Sequence, residues 1–118
     1  MKKLITLAAV LAAGTAYAQA KLVEVNDDQQ MVPSLNMTVD KLEDMDLYDS
    51  AGAKIGEVED VLGPMSNQPT AVAVEADDFL GDKGDDVIIA LDQLKVVDGK
   101  LVTTLTKEQM LPMPRWNS

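Results

Sequence analysis

The chain has 118 residues, with 20 acidic against 10 basic side chains, a formal charge of −10, and neither cysteine nor histidine. That balance argues against nucleic acid or anionic lipid as partners, since both are bound by a basic face that displaces counterions. The missing residue types remove disulfides, thiolate nucleophiles, imidazole bases and the usual zinc and copper ligands.

At the N-terminus, Lys2 and Lys3 precede an uncharged apolar stretch over residues 4–13. Small residues then recur in Ala16-Tyr17-Ala18 and Ala18-Gln19-Ala20, the pattern that signal peptidase cleaves. The expectation is a signal peptide over residues 1–18, released after Ala18 or, two residues later, after Ala20. The apolar stretch falls well short of the ~20 residues that cross a hydrocarbon core. Lipidation would need a cysteine at the cleavage point. Cleavage after Ala18 leaves 100 of the 118 residues and, by removing Lys2 and Lys3, takes the formal charge from −10 to −12. The expected location is periplasmic or secreted, with no membrane insertion after cleavage.

Residues 19–37 contain Asn26-Asp27-Asp28-Gln29-Gln30 and Pro33-Ser34 with no period of two or of 3.6, and read as a flexible linker. The domain is expected over residues 38–116. Thr38 can cap a single helical turn over residues 38–42, with Asp40 complementing the helix dipole. Residues 45–48 suggest a first strand, and Asp49-Ser50-Ala51-Gly52 a turn. In residues 54–62 the apolar positions Ile55, Val58, Val61 and Leu62 have helix-like spacing. A bulge at Gly56 shifts strand alternation by one residue and makes the segment a strand. Residues 70–76 alternate cleanly, residues 87–91 form a continuous apolar run suited to a strand covered on both faces, and Asp98-Gly99 calls for a type I′ hairpin. Thr106 with Gln109 forms a capping box opening a short helix, with Leu105 and Met110 as a hydrophobic staple and Pro112 and Pro114 as stops.

The order and spacing of these pieces resemble a PRC-barrel domain. The resembling features are Leu42 leading into Asp46-Leu47-Tyr48-Asp49, then residues 52–62, Phe79-Leu80-Gly81, residues 87–94, and residues 105–110 before a proline. The resemblance implies a mostly β fold: a small barrel of about six strands with a short C-terminal helix, here preceded by a signal helix and a linker. It also implies an interaction module, as in the cytoplasmic part of the photosynthetic reaction-centre H subunit and in a ribosome-maturation protein. Asp77 and Asp78 stand where the family has glycines, and export removes those cytoplasmic roles.

Catalytic residues are not expected. Ser34, Ser50, Ser66 and Ser118 fall in linker, turn or tail, with no histidine to activate them and nothing that supports a lysine in that role. One Trp, two Tyr and one Phe give little aromatic platform for sugars. Asp77, Asp78, Asp82, Asp85 and Asp86 supply oxygen atoms for a hard cation such as Ca²⁺, although no register reproduces an EF-hand loop. Glu57 and Glu59 read as a solvated face. The methionines read as core or linker residues, and Trp116 either packs on the barrel or joins Phe79 and Leu80 in meeting a partner. No cofactor is implied. The expected function is a non-catalytic exported module that binds an unidentified protein partner or a second copy of itself. The alternative is a small ion- or ligand-binding protein using the acidic loop over residues 77–86.

Overall fold

The structure, a computed structural model, describes residues 21–76 and 86–117. The expected signal peptide lies outside the described residues, as do Asp77, Asp78, Phe79, Leu80, Asp82 and Asp85.

In chain order the described elements are β1 (Val23–Glu24), β2 (Met31–Val32), β3 (Met37–Thr38), α1 (Val39–Leu42), β4 (Asp46–Tyr48), β5 (Lys54–Gly63), β6 (Ala71–Ala76) and β7 (Asp86–Ala90). A 3₁₀ turn (Leu91–Gln93), β8 (Leu94–Val97), β9 (Lys100–Thr103), α2 (Lys107–Met110) and β10 (Arg115–Trp116) complete them. One sheet has the order β10-β7-β6-β5-β4-β9-β8, with β1 added beside β5, while β2 and β3 pair separately. The pairings are antiparallel except that of β4 with β9, where Leu47 and Tyr48 stand beside Leu101 and Val102 in parallel.

β5 organises the fold, and its helix-like spacing has a simple cause. Between Leu47 and Tyr48 on β4 the register moves from Gly56 to Lys54, so Ile55 is an extra residue. Against β6 the register moves from Val58 to Asp60, so Glu59 is another. Each extra residue turns the two-residue repeat of a strand locally into three. Ile55, Val58 and Val61 therefore all point inward, and all three are buried. Two glycines make the crossings possible. A Cβ at Gly56 would meet the Glu75 carbonyl oxygen at 2.7 Å, and one at Gly63 would overlap the Gln68 carbonyl.

The local turn chemistry follows the sequence. Asp98 and Gly99 have φ of 53° and 79°, as the hairpin between β8 and β9 requires. Asp49 Oδ1 accepts the amides of Ala51 and Ala53, both at 2.9 Å, and Gly52 takes φ of 92°. Thr38 Oγ1 accepts the Lys41 amide and caps α1. Thr106 and Gln109 form the reciprocal capping box of α2.

Residues 21–37 differ from the linker expected there. Val25, Val32, Leu35 and Met37 are buried in the main core, and β1 pairs with the end of β5. The arm also closes α1: the Val39 amide donates to the Gln30 carbonyl at 2.9 Å and the Asp40 amide to the Asp28 carbonyl at 3.0 Å. Partners supplied by the rest of the fold give this aperiodic segment its order, because free helix amides and open strand ends must be satisfied somewhere.

One cluster joins inward residues from β4 through β9 with α1, Met110 of α2 and the arm. A sheet whose strands all reach one core has to curve round it, which gives the barrel. Met37 and Met110 are buried, Met45 and Met113 pack at the core's margin, and Met31 and Met65 are exposed. On the outward side, Leu62, Ala71 and Ala73 form a second, smaller cluster covered by Leu22, Ile88 and Trp116. Trp116 thus packs on the barrel, held by pairing of β10 with β7 in which it stands opposite Asp86.

Candidate functional site

The register of four strands builds a continuous outward row. Lys95 of β8 stands beside Val102 of β9, Val102 beside Tyr48 of β4, and Tyr48 beside Lys54 of β5. Val97 and Lys100 form the next pair along β8 and β9. Tyr48, Lys95, Val97, Lys100 and Val102 line a groove of about 330 Å³. The Lys100 ammonium lies 5.0 Å from the centre of the Tyr48 ring, a cation–π contact of about 0.5–1 kcal/mol at an exposed position.

Two aspartates, Asp49 and Asp98, line the same groove as Lys95 and Lys100. Lys54 Nζ pairs with Asp46 Oδ1 at 3.6 Å, and Asp49 holds the turn amides. Among the described residues no carboxylate reaches Lys95 or Lys100 at ion-pair distance. β8 also ends the sheet, so among the described residues one of its edges faces no strand. Val96 and Val97 are exposed on it. An open edge, an aromatic ring, exposed valines and two ammonium groups suit the docking of an extended segment carrying carboxylates.

Farther across the same outward face the chemistry reverses. Glu57 stands directly opposite Glu75, and the bulge brings in Glu59, so that the three carboxylates have oxygens within 4.8 Å of one another. Partial burial, a hydrogen bond with Glu75 and the charges of Glu75, Asp86 and Glu57 push Glu59 up to about 7. At the end of β5, Glu24 is likewise pushed up to about 7, first by a hydrogen bond with Asp60, then by burial and the charges of Asp60 and Glu43. Burial and its acidic neighbours raise Glu43 as well.

Of the acidic loop expected to hold a cation, Asp86 is described, as the first residue of β7. Among the described residues, the carboxylates that assemble are Glu57, Glu59 and Glu75. The sequence marks Glu57 and Glu59, but Glu75 joins them only through the register of β5 and β6. Tyr48, Lys95 and Lys100 carried no linear signal, since they come from three strands. Alternation within each strand and the Asp98-Gly99 turn would have put Val97 beside Lys100.

This is a small β-barrel domain whose distinctive side-chain chemistry lies on its outer surface. The family model of the PRC-barrel domain matches residues 36–110, most of the chain, and the protein belongs to that family. Comparison with curated proteins returns no match. PRC-barrel domains are generally non-catalytic. The arm through Leu35 and the C-terminal segment from Leu111 lie outside the matched region.

Proposed function

We propose that the protein is an exported, non-catalytic PRC-barrel module that binds a protein partner in the periplasm through the outward face of β4, β8 and β9. The observation that carries this reading is the groove lined by Tyr48, Lys95, Val97, Lys100 and Val102, together with Asp49 and Asp98, beside the edge of β8 that faces no strand among the described residues. The leader-like residues 1–18 support export. The partner's contact segment is extended and acidic, matching the edge and the lysines.

A photo-crosslinker placed at Val97, on the groove itself, in cells tests this, in the native background and in the Tyr48→Ala, Lys100→Glu double variant. A reproducible protein adduct that falls about tenfold or more in the double variant is expected, the effect of losing the aromatic contact and reversing one charge in the interface. An adduct with a second copy identifies self-association as the form the interaction takes. No adduct, or one indifferent to the substitutions, overturns the reading.

Glu57, Glu59 and Glu75 favour a second reading, a small ion-binding protein, because mutually repelling carboxylates are relieved by a hard cation. A ligand that binds the native state raises its melting temperature. On this reading a millimolar concentration of Ca²⁺ raises the melting temperature and Glu75→Gln abolishes the rise; an unshifted melt rejects it.

A further inference from the structure

β1 is a slender attachment. Two register pairs, Val23 with Gly63 and Glu24 with Leu62, join it to β5, followed by the Val25 amide donating to the Val61 carbonyl at 2.8 Å. Strand alternation sends Val25 inward, where it is buried, and puts Leu22 and Glu24 on the outward side. There Leu22 covers Leu62, Ala71 and Ala73 together with Ile88 and Trp116. Glu24, opposite Leu62, lies diagonal to Asp60 two residues earlier on the same face of β5.

The groups facing Glu24 are acidic on both neighbouring elements: Asp60 from β5 and Glu43 from the residue after α1. Glu43 is itself surrounded by Asp28, Asp40, Asp44 and Asp60. Lys21, on the arm itself, is exposed. Among the described residues no ion pair forms with Glu24. A proton between the Glu24 and Asp60 carboxyls makes a hydrogen bond across the junction, and its loss leaves two like charges pressing the strands apart.

We propose that β1 is a proton-operated clasp: protonated, Glu24 holds the first residues of the arm, 21–24, on β5 and Leu22 over the outward apolar cluster, and ionised, it lets those residues lift and uncovers that cluster. Leu22 and Glu24 lie outside the region matched by the PRC-barrel model, and Asp60 lies within it. Because Glu24 is raised from 4.5 to about 7, closure is strongest at low pH and is lost as pH rises through about 7.

Trp116 is the chain's single tryptophan and packs in the covered cluster, so its fluorescence reports on the clasp. Acrylamide quenching is measured on the protein from about pH 5.5 to about pH 8.5, in the native sequence and in Glu24→Gln, which keeps the hydrogen bond and cannot ionise. Quenching is expected to rise about two- to threefold across this range in the native protein and to stay flat and low in Glu24→Gln. Asp60→Asn, which removes the opposing charge from the other strand, is expected to flatten the profile as well. Identical profiles in all three proteins, or no pH response in the native one, overturn the proposal. A melting transition at about pH 5.5 common to the three shows that each is folded.

Discussion

On its inner face β5 sets Ile55, Val58 and Val61 into the core, all buried, whereas its outer face places Glu57, Glu59 and Asp60 against Glu75 and Glu24. The same two bulges produce both arrangements. By adding one residue to each repeat they keep three apolar side chains inward, and the second of them turns Glu59 toward a pair of glutamates that already face each other. The strand's stability comes from the inner face, and the outer face holds charge that this stability tolerates.

Two substitutions sharpen that contrast. Val61→Ala, at a position with no solvent exposure, should cost about 2 kcal/mol from lost burial and the cavity left behind, read as a lower midpoint in urea unfolding with an unchanged slope. Glu59→Gln should act in the opposite direction and less strongly. Because Glu59 is raised from 4.5 to about 7, the folded chain holds a proton that the unfolded chain releases between those values. Its contribution to stability is present below about pH 4.5 and lost as pH rises through about 7. Glu59→Gln should therefore stabilise the protein at about pH 8, by about 1 kcal/mol or less at so exposed a site, and flatten the decline across that interval. A destabilised Glu59→Gln at high pH would show that the carboxylates are not in conflict and would remove the contrast.

Legibility in the sequence follows the range of the forces involved. The β8–β9 hairpin, the Asp49 turn, the Thr38 cap and the Thr106 capping box were readable because each is completed within about five residues. The first bulge was readable too, one residue from its expected place at Gly56, since a glycine directly after Ile55 permits it and Gly63-Pro64 stops the segment. The second bulge, at Glu59, had no comparable mark. The arm was not readable: Val25, Val32, Leu35 and Met37 have no common period because β5, α1 and the core, rather than the arm's own geometry, decide which of its residues are buried. The candidate groove was hidden for a related reason. Tyr48 reaches Val102 and Lys100 only through the parallel pairing of β4 with β9, and turn chemistry carries no information about a pairing of that kind.

That parallel junction also bears on how the molecule assembles. Leu47 and Leu101 come from opposite halves of the chain, while β4 with β5, β5 with β6, and β8 with β9 are joined through nearby residues. Bringing β9 beside β4 carries the loop-closure entropy of the whole intervening chain and is rewarded only when Leu47 and Leu101 enter the core together. The hairpins can form early and separately, and the junction of β4 with β9 is expected to close after them. Because one core draws on every strand from β4 to β9, the barrel should be lost in one step when that junction parts.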